Sequence, residues 1–129
     1  MRFLISLYLL LTILPSFGKD AKIDSLENVL QSDTQMSETE RADLLIILSR
    51  KYLRVSPNQS VTYGKQALQL MQNNQENKGI ANAAKVLGTA YFMQSDFANA
   101  LEYFNLALKK NLEINNTGEL AASYNNVGV

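Results

Sequence analysis

ANAAKVLGTAYFMQSDFANALEYFNLALKKNL, residues 81–112, is the stretch that decides the fold. Apolar and small side chains recur at helical spacing on both sides of Ser95-Asp96. This predicts two antiparallel helices over about 80–93 and 97–113, with Ser95-Asp96 ending the first and capping the second. Gly88 carries no side chain, so the second helix can approach closely there. Ala100 and Ala107 are small and share a face, which permits the same approach from the other side. Tyr91, Phe97, Leu101, Phe104 and Leu108 are expected to fill the space between the two helices.

The spacing recurs on both sides of this pair. Val127-Gly128 stands 40 residues after Leu87-Gly88, and Gly118 stands 39 after Gly79. Upstream, Leu48-Ser49 and Tyr52 precede Leu87-Gly88 and Tyr91 by 39. Tyr63, Ala67 and Leu68 precede Tyr103, Ala107 and Leu108 by 40, so the first pair has one residue fewer in its loop near Pro57. Ser56-Pro57 is a strong helix start, a hydroxyl cap followed by a proline at the first helical position. Helices are therefore expected over about 40–54, 57–73, 80–93, 97–113 and 118–129. A period near 40 with two helices per unit predicts an all-α solenoid of antiparallel helix pairs.

These residues resemble a known family. Leu87-Gly88…Tyr91…Ala100…Phe104…Ala107 is similar to the tetratricopeptide repeat (TPR) signature, with Ala84 where the family often carries Trp. The resemblance covers residues 41–129, about two and a half repeats: 41–77, 78–117 and an incomplete 118–129. The middle unit follows the pattern closely. In the first, Ser49 replaces the Gly, Ser60 the first Ala of the second helix, and Gly64 the aromatic. The long period resembles the variant with extended second helices, common in the exported sensory halves of bacterial histidine kinases and diguanylate cyclases. HEAT-type repeats share the period but lack this order of small and aromatic residues.

The resemblance also implies a site, because TPR units line a concave groove with the first helix of each pair. Carried over by position, the groove would hold Asp43, Ile46, Arg50 and Leu53 from the first unit. Asn82, Lys85, Thr89 and Phe92 follow from the second, and Ala122, Asn125 and Val129 from the third. Arg50, Lys85 and Asn125 are the candidates to receive a peptide carboxylate, since charge-assisted donors converge on such groups. Thr89 stands where carboxylate-binding members carry an Asn. The alternative, in which these are ordinary solvated helix residues, stays open.

Composition narrows the chemistry. Twelve Lys+Arg balance twelve Asp+Glu, and 47% of the 129 residues are hydrophobic. Such a neutral balance lacks the basic footprint of a nucleic-acid binder. With no Cys and no His there is no disulfide framework, zinc finger or imidazole base. Glu102, Glu113 and Glu119 are expected to be surface charges rather than acid–base partners, and Met36, Met71 and Met93 to fill gaps or flank helix ends. No Gly spacing matches a phosphate-binding loop. Neither a cofactor, a metal nor a catalytic residue is expected.

The ends carry separate signals. Met1-Arg2, the apolar run Phe3–Leu14 and the turn Pro15–Gly18 follow the order of a secretory signal, with cleavage after Gly18. An uncleaved anchor or a buried helix are the alternatives, but the run of about 12 apolar residues is short for a bilayer span. Residues 19–40 are a polar lead-in, in which Ile23, Leu26, Val29 and Leu30 predict a short helix and Ser37…Glu40 a capping box. Leu120, Tyr124 and Val127 form an apolar stripe on the last helix, with no second helix to cover it. This is expected of a fragment of a longer protein, or of an edge that pairs with a second chain.

Together these features predict an exported, periplasmic, non-catalytic module that binds a protein or peptide. The alternative is the periplasmic sensory piece of a larger membrane-bound histidine kinase or diguanylate cyclase, tethered to the membrane, whose catalytic part lies elsewhere.

Overall fold

The computed structural model describes residues 20–115 and 117–128, with the side chains of Thr117, Glu119 and Leu120 outside that set. Residues 1–18, read above as a signal sequence, and Val129 lie outside the described residues. Six helices follow one another: α1 (Ala21–Ser32), α2 (Glu38–Tyr52), α3 (Pro57–Asn73), α4 (Asn77–Met93), α5 (Phe97–Glu113) and α6 (Thr117–Val127). The protein is all-helical among the described residues, and α2 to α6 begin and end within about three residues of the expected spans.

Local chemistry explains the helix starts. Ser37 Oγ accepts from Glu40 N at 3.1 Å while Glu40 returns a carboxylate to Ser37 N at 2.9 Å, the reciprocal box. Ser56 Oγ accepts from Gln59 N, ahead of Pro57 at the first helical position. Asp96 Oδ1 takes Asn99 N at 3.2 Å, and Asp20 caps α1 through Lys22 N at 3.0 Å.

The turns that follow α3 and α4 are alike. Gln75 and Ser95 have positive φ of 55° and 61°. Glu76 N donates to Met71 O and Asp96 N to Tyr91 O, each at 2.9 Å, while Gln75 N and Ser95 N reach Gln72 O and Phe92 O. This is the Schellman closure, made here without glycine. After α2 the chain does something different. Val55 N and Ser56 N both return to Tyr52 O, at 3.0 and 2.8 Å, and Ser56 is extended at φ −153°. The residue before a proline avoids the helical region, so one residue fewer and Pro57 together replace the left-handed turn with a tight one.

Each helix packs against the next, and α2 also touches α4, its neighbour but one. The order of contacts shows α3 and α4 to be antiparallel: Met71 lies over Gly79 while Gly64 lies over Leu87. The main core joins α2, α3 and α4 through Ala42, Leu45, Ile46, Ala67, Met71, Ile80, Ala83 and Leu87, all buried. A second cluster docks α1, with Ile23 packed among Leu44, Leu48 and Tyr52.

In the α4–α5 pair Gly88 does what its missing side chain allows. A Cβ there would stand 2.5 Å from Phe104 Cδ1, so the aromatic ring lies directly on the α4 backbone. Tyr91 stacks on Tyr103, ring centroids 5.5 Å apart and nearly parallel. Two residues expected between these helices stand elsewhere. Phe97 is 60% exposed and Leu101 48%, because the close approach at Gly88 leaves room for one ring only, and Phe104 fills it. Among the described residues no helix is long and apolar enough to cross a membrane.

Candidate functional site

Five of the residues that the resemblance assigns to a groove come together on one surface. Arg50 and Leu53 from the end of α2 and Asn82, Lys85 and Thr89 from α4 line a concavity of about 290 Å³, with Val86 at its floor. The contact between α2 and α4 builds it: Arg50 and Leu53 lie a turn apart, as do Asn82, Lys85 and Thr89 along α4. Arg50 is exposed, while Asn82, Lys85 and Thr89 are half-buried. The Thr89 hydroxyl donates to Lys85 O at 3.0 Å, which leaves its oxygen free to accept.

Two cations, an amide, a hydroxyl and two aliphatic side chains thus share this concavity, and among the described residues no carboxylate lines it. Such a lining offers donors to an anionic group and an apolar wall to the carbon beside it. Sequence reasoning missed Val86, although it lies on the same α4 face, four residues after Asn82.

The other assigned residues stand apart. Ile46 is buried at 5% exposure within the main core, because the α2 face that carries Leu45 and Ile46 turns toward α3 and α4; it presents nothing to a groove. Asp43 is exposed on α2 outside the concavity. Phe92, 57% exposed, faces a different hollow of about 240 Å³ with Phe97, Ala100, Leu101, Phe104 and Asn126. Its ring meets Phe97 edge-on at 5.4 Å. Asn125 is exposed on α6 and Ala122 half-buried, neither reaching Arg50 or Lys85 across the concavity. Of the apolar stripe on α6, Tyr124 is exposed and Val127 half-buried, while Leu120 is outside the described side chains.

A second cationic feature lies on α3, away from this concavity. Lys65 Nζ sits 5.8 Å from the Tyr91 ring centroid. A hydrogen bond with the Tyr91 hydroxyl raises the Lys65 pKa, and burial raises that of Tyr103 behind it. Glu102 and Glu113 are exposed, the latter paired with Lys110 at 3.1 Å. Among the described residues no three carboxylates gather as metal ligands would.

Compared with protein-family models, curated proteins and solved structures, the chain matches none.

Proposed function

We propose that this chain is a non-catalytic TPR-type interaction module, an α-solenoid that binds a protein or peptide in the concavity between α2 and α4. One observation carries this reading. Five of the eleven residues that the resemblance assigns to a groove do line a single concavity, with two cations and, among the described residues, no carboxylate. The stacking of α2 on α4, with consecutive antiparallel pairs between, supports the solenoid. At about 290 Å³ the concavity suits one or two side chains of an extended peptide rather than a drug-sized cofactor. The partner chemistry it favours is an acidic or carboxylate-bearing segment beside an apolar one.

The test is a displayed peptide library selected on the chain, followed by affinities for Arg50→Glu and Lys85→Glu. Each reversal is expected to weaken a selected acidic peptide by about tenfold or more, as for one partner of a charged contact, with thermal unfolding unchanged. Affinities untouched by both reversals would move the binding surface off this concavity.

Export is part of the same proposal and rests on residues 1–18. The intact mass of the protein from its own cells is expected to lack those residues and to be recovered from the periplasmic fraction. A membrane-bound, much larger species would instead support the sensory reading.

A further inference from the structure

Helix α1 repeats the packing stripe of a second repeat helix. Ile23, Leu26 and Leu30 stand 41 residues before Gly64, Ala67 and Met71 of α3. The residues beneath them, Leu44, Leu48 and Tyr52, stand 39 before Ala83, Leu87 and Tyr91 of α4, which α3 covers. So α1 occupies on α2 the place that α3 occupies on α4. It runs the same way too, since Arg41 Nη1 near the start of α2 donates to Leu30 O near the end of α1, at 3.2 Å.

The two helices are held by different means. Gly64, Ala67 and Met71 are all buried, and the small residues let the α3 backbone come close. In α1 the bulkier Ile23 and Leu26 take those places, and only Ile23 is fully buried. Polar contacts make up the difference. The Tyr52 and Tyr63 hydroxyls both donate to Glu27 Oε1, at 2.6 and 2.8 Å, and their rings pack 5.7 Å apart. Hydrogen bonds to a charged group are strong and directional, but undocking replaces them by bonds to water, so their net contribution is well below their gross strength.

We infer that the face formed by Leu44, Leu48, Tyr52 and Tyr63 is a docking surface for an amphipathic helix, and that α1 is its resident, displaceable occupant. The partner chemistry is written in α1 itself: apolar side chains at i, i+3 and i+7, with a carboxylate at i+4 that reaches the two phenol hydroxyls. The five residues 33–37 tether α1, and Asp33 Oδ1 closes that turn on Gln35 N at 2.9 Å. This inference rests on the contacts of α1 alone and is independent of the concavity between α2 and α4.

Hydrogen exchange on the full chain is the first test. Amides of α1 are expected to exchange on the order of a hundredfold faster than those of α3 and α4, by local opening. Equal rates would make α1 an integral part of the fold and overturn the inference. The second test uses the full chain carrying Ile23→Asp and Glu27→Ala, which undocks α1 and leaves the receiving face intact. A fluorescent peptide of residues 20–33 is expected to bind this variant at least about tenfold more tightly than the unaltered chain. Adding Tyr52→Phe and Tyr63→Phe is expected to weaken it by about tenfold or more per hydroxyl. No binding by a variant whose α3 and α4 amides stay protected, or loss of that protection in the variant, would each overturn the inference.

Discussion

The α2–α3 and α4–α5 pairs occupy equivalent places in the sequence period, yet they bring their helices together by opposite devices. In α4–α5 the small residue is on the first helix: Gly88 receives the Phe104 ring, with Ala100 buried a turn away. In α2–α3 the equivalent positions hold Ser49, Ser60 and Gly64. There the small residue has moved to the second helix, and a Cβ on Gly64 would stand 3.0 Å from Ser49 Oγ of α2, as well as 2.9 Å from Leu87 of α4. The serines are buried and fully satisfied. Ser49 Oγ donates to Ser60 O and Ser60 Oγ to Ser49 O, both at 2.7 Å. One interface is therefore closed by an aromatic on a bare backbone, the other by a reciprocal polar clasp. Close approach is what the repeat requires, and the side chains that permit it are interchangeable as a set but not singly.

The largest break in this comparison should come from Gly88→Val. Phe104 is buried and cannot swing away, so the added side chain forces the helices apart. Stability is expected to fall by about 3 kcal/mol, near the upper end of overpacking costs. For a domain of this size that corresponds to a melting temperature lower by roughly 12 °C or more, read by calorimetry or circular dichroism. Gly64→Ala meets Leu87 Cδ2 and Cγ at 2.9 Å and Ser49 Oγ at 3.0 Å, but it adds one methyl and gains helix propensity, so it should cost less than the valine at Gly88. A drop at Gly64 equal to that at Gly88 would mean that the two interfaces are not closed differently at all.

The serine clasp gives the next effect. Ser49→Ala or Ser60→Ala alone removes one donor and leaves a buried carbonyl without it, at a cost of about 1–2 kcal/mol each. The double variant is expected to cost less than the two singles added, because the Ser49 Oγ–Ser60 Oγ contact of 3.2 Å is lost in either single and is then counted once. Strict additivity in urea unfolding would show that the hydroxyls act separately and not as a clasp.

The smallest effect sharpens the contrast between the turns. Gln75 and Ser95 pay the left-handed penalty of a side chain at positive φ, about 1 kcal/mol each. Gln75→Gly and Ser95→Gly should therefore stabilise the protein by up to about that amount, offset in part by the greater freedom of Gly in the unfolded chain. Arg54→Gly, in the first turn where no positive φ is present, should not stabilise. A gain there as large as at Gln75 would remove the distinction between the turns.

Much of the architecture was legible in the residues because it rests on local chemistry. Ser37…Glu40, Ser56-Pro57 and Asp96 each mark a helix start through bonds from amides three positions away, and those bonds form whatever the rest of the chain does. Period and small-residue spacing likewise pointed to Gly88 as the point of contact. The candidate site was legible in part. Arg50, Leu53, Asn82, Lys85 and Thr89 share one concavity as their register suggested, whereas Ile46 and Phe92 do not. A helical position names a face to within a fraction of a turn, and a neighbouring helix decides which edge of that face it covers.

What the sequence by itself determined is therefore the set of helices, their caps and their pairing, all consequences of spacing along the chain. Tertiary structure alone decided four things: that Phe104 rather than Phe97 or Leu101 lies on Gly88, that Ile46 joins the core, that Ser49 and Ser60 clasp, and that Glu27 reaches two tyrosines from different helices. Each depends on the distance between two helices. That distance is set by all the side chains across the interface at once, through close packing that leaves no room for a second solution.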